Sequence, residues 1–100
     1  MDVGGKRHTE SLVVSADHIV DWPVRSADAL ERSDFAPVVE LKPEIVLLGT
    51  GDALLFPDPA SLADLHAARI GVEVMDTKAA CRTYNILLGE GRNVVAALIL

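Results

Sequence analysis

Ile45-Val46-Leu47-Leu48-Gly49-Thr50-Gly51 reads as a short buried strand running into a tight turn, and it is the first of three such apolar runs. The second is Ile70-Gly71-Val72-Glu73-Val74-Met75, closed by Asp76-Thr77. The third is Val94-Val95-Ala96-Ala97-Leu98-Ile99-Leu100. Segments with helical spacing separate them. Short β-rich runs alternating with helices predict a sheet with crossover helices, not an all-α or all-β domain. The first and third runs are unbroken, as expected of strands covered on both faces, whereas Glu73 places the second at the periphery. A right-handed crossover makes neighbouring runs one and two parallel. The expected order is third, first, second, with residues 45–48 in the middle.

Each crossover carries its own start and stop signals. Asp58 can cap a helix that opens at Pro59, where a missing amide hydrogen costs nothing. Leu62, Leu65 and Arg69 follow at helical spacing, and Gly71 is expected to stop the segment. Asp76 or Thr77 can cap a second helix running to about Glu90, with Gly91 as its C-terminal break. Ala80, Cys81, Tyr84, Leu87 and Leu88 share one face of it, and Lys78, Arg82, Asn85 and Gly89 another. The first face is expected in the core.

Upstream, Ser11-Leu12-Val13-Val14-Ser15 and Ile19-Val20-Asp21-Trp22 flank Ala16-Asp17-His18, which predicts a hairpin ended by Pro23. Residues 26–32 read as a loop or irregular turn. Ser33 or Asp34 then caps a short apolar segment over residues 35–41, with Pro37 in its first turn. Residues 1–10, polar and glycine-containing, read as a poorly ordered lead-in.

One domain is the size that 100 residues support, and half of them are hydrophobic. Only 4% are aromatic, so the core must be built from Val, Leu, Ile and Ala. A net charge of −6 and a pI near 4.8 argue against nucleic acid or an anionic membrane as partner. No run approaches the roughly 18 apolar residues of a membrane span. A single cysteine forms no internal disulfide, and no signal or transit segment is recognisable, so the expected location is cytoplasmic.

The motifs are modest. Gly49-Thr50-Gly51 after a strand invites a nucleotide site, but Leu54 stands where the dinucleotide fingerprint needs Gly or Ala, and Phe56-Pro57-Asp58-Pro59 delays the helix. A turn needing backbone freedom fits better. Cys81 lies in the second turn of its helix, past the reach of the helix N-terminus, on an apolar face. A structural cysteine is therefore favoured over a nucleophile. His8, His18 and His66 have no ligand-like spacing, so no metal is expected, and no cofactor. The group that remains is Thr50, Asp76, Thr77, Arg82 and Asn85. Parallel strands bring their following loops to one sheet edge, where open α/β sheets bind ligands, and Arg82 offers a fork for a carboxylate or phosphate. Against that stand ordinary uses: Asp76 as cap, Asn85 and Arg82 in local pairing.

In combination, the motifs around residues 45–51, Phe56-Pro57, residues 70–77, Ala80-Cys81-Arg82-Thr83-Tyr84-Asn85 and Glu90-Gly91-Arg92 resemble the family of mitochondrial complex I assembly factor 3. That family includes the small prokaryotic Mth938-like proteins. Ser11-Leu12, Asp21-Trp22-Pro23 and Asp34-Phe35-Ala36-Pro37 extend the resemblance over almost the whole chain. The resemblance implies a single three-layer α/β domain with a central mixed β-sheet, a βαβαβ core preceded by an N-terminal hairpin. It implies no established catalysis and no cofactor. Against the family pattern, the segment before Ser11 is short and the chain ends inside an apolar strand.

Two functions compete. One is a non-catalytic interaction or assembly protein, for example one assisting assembly of a respiratory complex, with a protein partner, an oligomer left open, and an exposed apolar patch around Trp22, Val24 and Phe35. The other is an anion binder or enzyme using Gly49, Thr50, Gly51, Asp76, Thr77, Arg82 and Asn85.

Overall fold

The computed structural model describes residues 9–100, together with the backbone of residues 2–3 and 6–7. The elements run β1 (Asp2–Val3), β2 (Lys6–Arg7), β3 (Leu12–Val14), β4 (Ile19–Asp21), α1 (Ala36–Leu41), β5 (Ile45–Gly49), α2 (Ala63–Ala67), β6 (Gly71–Met75), α3 (Thr77–Gly89) and β7 (Val94–Leu98). Within the stretch read as a lead-in, β1 pairs antiparallel with β2. The main sheet has five strands in the order β4-β3-β7-β5-β6. β5 lies parallel to both β6 and β7, and β3 pairs antiparallel with β4 and β7. The expected order of the three C-terminal strands holds, with β5 central and the Glu73 strand at the edge.

Alternation along the strands divides the interior in two. Val46, Leu48, Val95 and Ala97 face one layer, and Leu47, Val94, Ala96 and Leu98 the other. α3 covers the second face through Ala80 and Tyr84. The first face is covered by α1, by α2 and by the irregular segment between β4 and α1. The domain is thus a three-layer α/β sandwich with a mixed sheet. That irregular segment overturns one expectation. Trp22, Val24 and Phe35, expected as an exposed interaction patch, are 3%, 5% and 0% exposed. Past Pro23 the chain folds back across the sheet through two 3-10 turns, Ala27–Ala29 and Arg32–Phe35. Its large side chains fill the layer that short helices leave open. Trp22 stacks obliquely on Phe35 at 5.7 Å, and its indole N–H donates to the Asp34 carbonyl at 2.7 Å. A buried indole needs such a partner.

Four local signals resolve differently from the sequence reading. Asp34 does not cap α1 directly; its carboxylate reaches back to accept from the Glu31 N–H at 2.8 Å, and Phe35 precedes the helix. Leu88 lies on the exposed side of the boundary. At about 20 Å, the 13 residues of α3 outrun a five-residue strand of about 16 Å, so its last turn overhangs the sheet. α2 is shorter than expected because Asp58 and Pro59 start a 3-10 turn, Pro59–Leu62, that precedes it. Gly71 does not stop α2. Arg69 does, in the left-handed region at φ 60°, with its own N–H on the His66 carbonyl and the Ile70 N–H on the Leu65 carbonyl. This bond pair is the Schellman ending, which glycine normally supplies. Arg69→Gly is therefore expected to raise stability by about 0.5–1 kcal/mol in urea denaturation.

Candidate functional site

The carboxyl ends of β5, β6 and β7 meet in a web of backbone bonds with Thr77 at its hub. The Thr50 N–H donates to the Met75 carbonyl at 2.9 Å, joining the ends of β5 and β6. The Thr77 N–H donates to the Gly51 carbonyl at 2.9 Å, and the Gly51 N–H returns a bond to Thr77 Oγ1 at 2.8 Å. That hydroxyl donates in turn to the Ile99 carbonyl at 2.6 Å, while the Ile99 N–H donates to the Gly49 carbonyl at 2.9 Å. One buried hydroxyl thus links the turn after β5, the start of α3 and the residue after β7. Asp76 caps α3, its carboxylate accepting from the Ala79 N–H at 2.9 Å.

The glycines have separate reasons. A Cβ on Gly49 would stand 2.9 Å from the Thr77 Cα and 3.2 Å from the Ala80 Cβ, so Gly49 is what lets α3 approach the sheet. Gly51 has open space around it but a φ of +103°, which the turn requires.

The structure therefore gathers Gly49, Thr50, Gly51, Asp76 and Thr77 at one point, and leaves Arg82 and Asn85 outside it. Both are exposed. Arg82 lies about 140° around the helix from Thr77, and its side chain enters no hydrogen bond or ion pair among the described residues. The amides of Gly51, Thr77 and Ala79 all donate within the chain, which leaves them unavailable to an anion. No group of His, Cys, Asp and Glu among the described residues has a metal-binding arrangement. A shallow groove of about 460 Å³ opens at the same end of the sheet, between Glu10, Trp22, Arg25 and Leu100. None of the strand-end ligand candidates lines it.

Cys81 is half-buried and packs against the α3 face of the core. Burial pushes its thiol pKa up, and the positive charge of Arg82 opposes this without reversing it. The thiolate is the reactive form, and a raised pKa lowers its population at neutral pH. Iodoacetamide labelling of the native protein at pH 7 is expected to be slower than for an unstructured cysteine peptide, and to accelerate only at a more alkaline pH than such a peptide needs. Rapid labelling at pH 7 would place a reactive thiolate there instead.

The feature that the sequence reading missed lies beside Thr50. The Thr50 hydroxyl donates to the Ala53 carbonyl at 2.7 Å and accepts from the Leu55 N–H at 3.1 Å, pinning the next loop from beneath. Pro57 is buried and Asp58 caps the following turn through the Ala60 N–H at 3.0 Å. Between these anchors Leu54, Leu55 and Phe56 stand 51%, 46% and 74% exposed. The available signal was the sequence itself, three consecutive apolar residues in a loop bounded by Asp and Pro, where loop composition is normally polar.

A family model described as a protein of unknown function (DUF498/DUF598) matches residues 1–99. The chain belongs to the DUF498/DUF598 family. Among its relatives, NADH dehydrogenase [ubiquinone] 1 alpha subcomplex assembly factor 3 of Bos taurus is 37% identical over 99 residues, covering 97% of this chain and 54% of that protein. The 13 kDa major membrane protein of Francisella tularensis is 30% identical over 101 residues, covering 99% and 80%. The DUF498/DUF598 chain thus spans about half the length of the assembly factor. Among solved structures, a Bordetella parapertussis crystal structure superposes with a TM-score of 0.90 at 37% identity, covering 96% of this chain and 83% of that one. The Mth938-like domain of Bordetella pertussis, solved by NMR, gives 0.85 at 30% identity, covering 96% and 77%. The resemblance to the Mth938-like and complex I assembly factor 3 proteins is therefore sound. Despite the name of the Francisella relative, no helix among the described residues is long and apolar enough to cross a membrane.

Proposed function

We propose that this DUF498/DUF598 protein works by binding another protein, in an assembly role of the kind that its relatives' names record, and not by catalysis. The observation that carries this is a contrast at one end of the sheet. The polar groups gathered at the strand ends are spent on holding strands and helix together, while three apolar side chains beside them face solvent on a pinned loop. A contiguous apolar run held rigidly outward favours a macromolecular contact, since rigidity lowers the entropic cost of docking. A respiratory NADH dehydrogenase is the first partner to test, on the strength of the assembly factor relatives. Deleting the gene is expected to lower the amount of assembled complex on native gels with subunit transcripts unchanged. The tagged chain should co-purify a subunit or assembly intermediate. Normal complex levels together with no co-purifying protein would overturn the proposal.

A further inference from the structure

We infer that the loop over residues 52–58 is the docking segment, and that it fits a partner protein presenting an apolar cleft bordered by Lys or Arg. This rests on the protein-binding reading above and narrows it to one surface and one chemistry. The apolar component is Leu54, Leu55 and Phe56. The charged component surrounds it. Asp52 and Asp58, both exposed, bracket the three residues. Asp76 caps α3 next to Gly51, to which Thr77 is bonded. Lys78, in the first turn of α3, is the cation nearest along that helix. An apolar centre with a carboxylate rim complements an apolar cleft with a cationic rim, and rim charges of this kind set partner choice and association rate. The same acids, on a chain of net charge −6, disfavour an anionic bilayer as the occupant. Preorganisation adds to the case: the buried Thr50 hydroxyl, buried Pro57 and the Asp58 cap hold the loop in place before any partner arrives.

The test uses the full chain in its native cells with photoreactive benzoylphenylalanine at position 56, and separately at position 86, where Ile86 is exposed on α3. Crosslinked peptides are sequenced by mass spectrometry. Position 56 should capture one protein through a peptide with apolar residues flanked by Lys or Arg. Asp52→Lys should reduce that yield by about fivefold or more while leaving the circular dichroism spectrum unchanged. The purified chain should not sediment with phosphatidylcholine vesicles, with or without phosphatidylglycerol. Capture of lipid, of a second copy of this chain or of a peptide without basic residues would overturn the inference, as would vesicle binding or indifference to Asp52→Lys. Protein captured at position 86 and not at 56 would refute this docking site while leaving the protein-binding function standing. No capture at either position would refute both.

Discussion

Gly49→Ala is expected to lower stability by about 2–3 kcal/mol, at the upper end of what an overpacked methyl group costs, and to lower the melting temperature by roughly 10–20 °C. The obstruction is backbone. A Cβ at this position meets the Thr77 Cα at 2.9 Å, and neither that atom nor the β5 backbone can rotate aside. Relief requires α3 to lift from the sheet, which stretches the bonds joining Thr77 to Gly51 and Ile99 and loosens Ala80 and Tyr84 from their layer. Gly51→Ala is the internal comparison, because it meets no neighbour and is penalised only through its positive φ. It should cost about 1 kcal/mol. Urea denaturation of the two variants checks the order. Equal effects would mean that helix approach is not what Gly49 supplies.

The second large effect belongs to Thr77→Val, which keeps the shape of the side chain and removes its oxygen. The Gly51 N–H loses its acceptor and the Ile99 carbonyl loses its 2.6 Å donor, so two polar groups lose their partner at a buried position. Unpaired buried groups cost about 1–3 kcal/mol each, which gives an expected loss of roughly 2–4 kcal/mol after partial relaxation. Thr77→Ser keeps both bonds and loses one methyl, so about 1 kcal/mol is expected. Amide exchange at Gly51 should accelerate strongly in the valine variant and little in the serine variant. A valine variant as stable as the parent would show that water replaces the hydroxyl without cost.

Much of this architecture was legible because periodicity and punctuation agree. The unbroken runs at residues 45–48 and 94–100, the interrupted run carrying Glu73, and the cap and break at Asp76 and Gly91 each rest on a local rule that tertiary context did not override. The strand-end group was half legible. Topology alone brings the loops after β5 and β6 together, and so predicts the meeting of Gly49, Thr50, Gly51, Asp76 and Thr77. Which donors remain available depends on Ile99, a residue 22 positions from Thr77, and no pattern announces that its carbonyl claims the threonine hydroxyl. Trp22, Val24 and Phe35 were misplaced for a related reason. Composition marks them as apolar, but only the fold-back after Pro23 decides whether an irregular segment lies on the core or beside it.

The position of β7 has a consequence for the order in which the domain is built. It lies between β5 and the N-terminal hairpin, and its register places Leu12 opposite Leu98. The β5–β6 pair and α3 can therefore associate early, whereas the hairpin has no place in the sheet until β7 has been synthesised and inserted. Until then β3 has an open flank, and its partner β4 carries exposed Ile19 and Val20. Closing so long a loop is entropically slow, and contact order ranks such topologies among the slower folders of their size. The nascent chain is thus most exposed to mispairing in the interval before β7 inserts, and a chaperone acting on this protein would have most to protect at the hairpin.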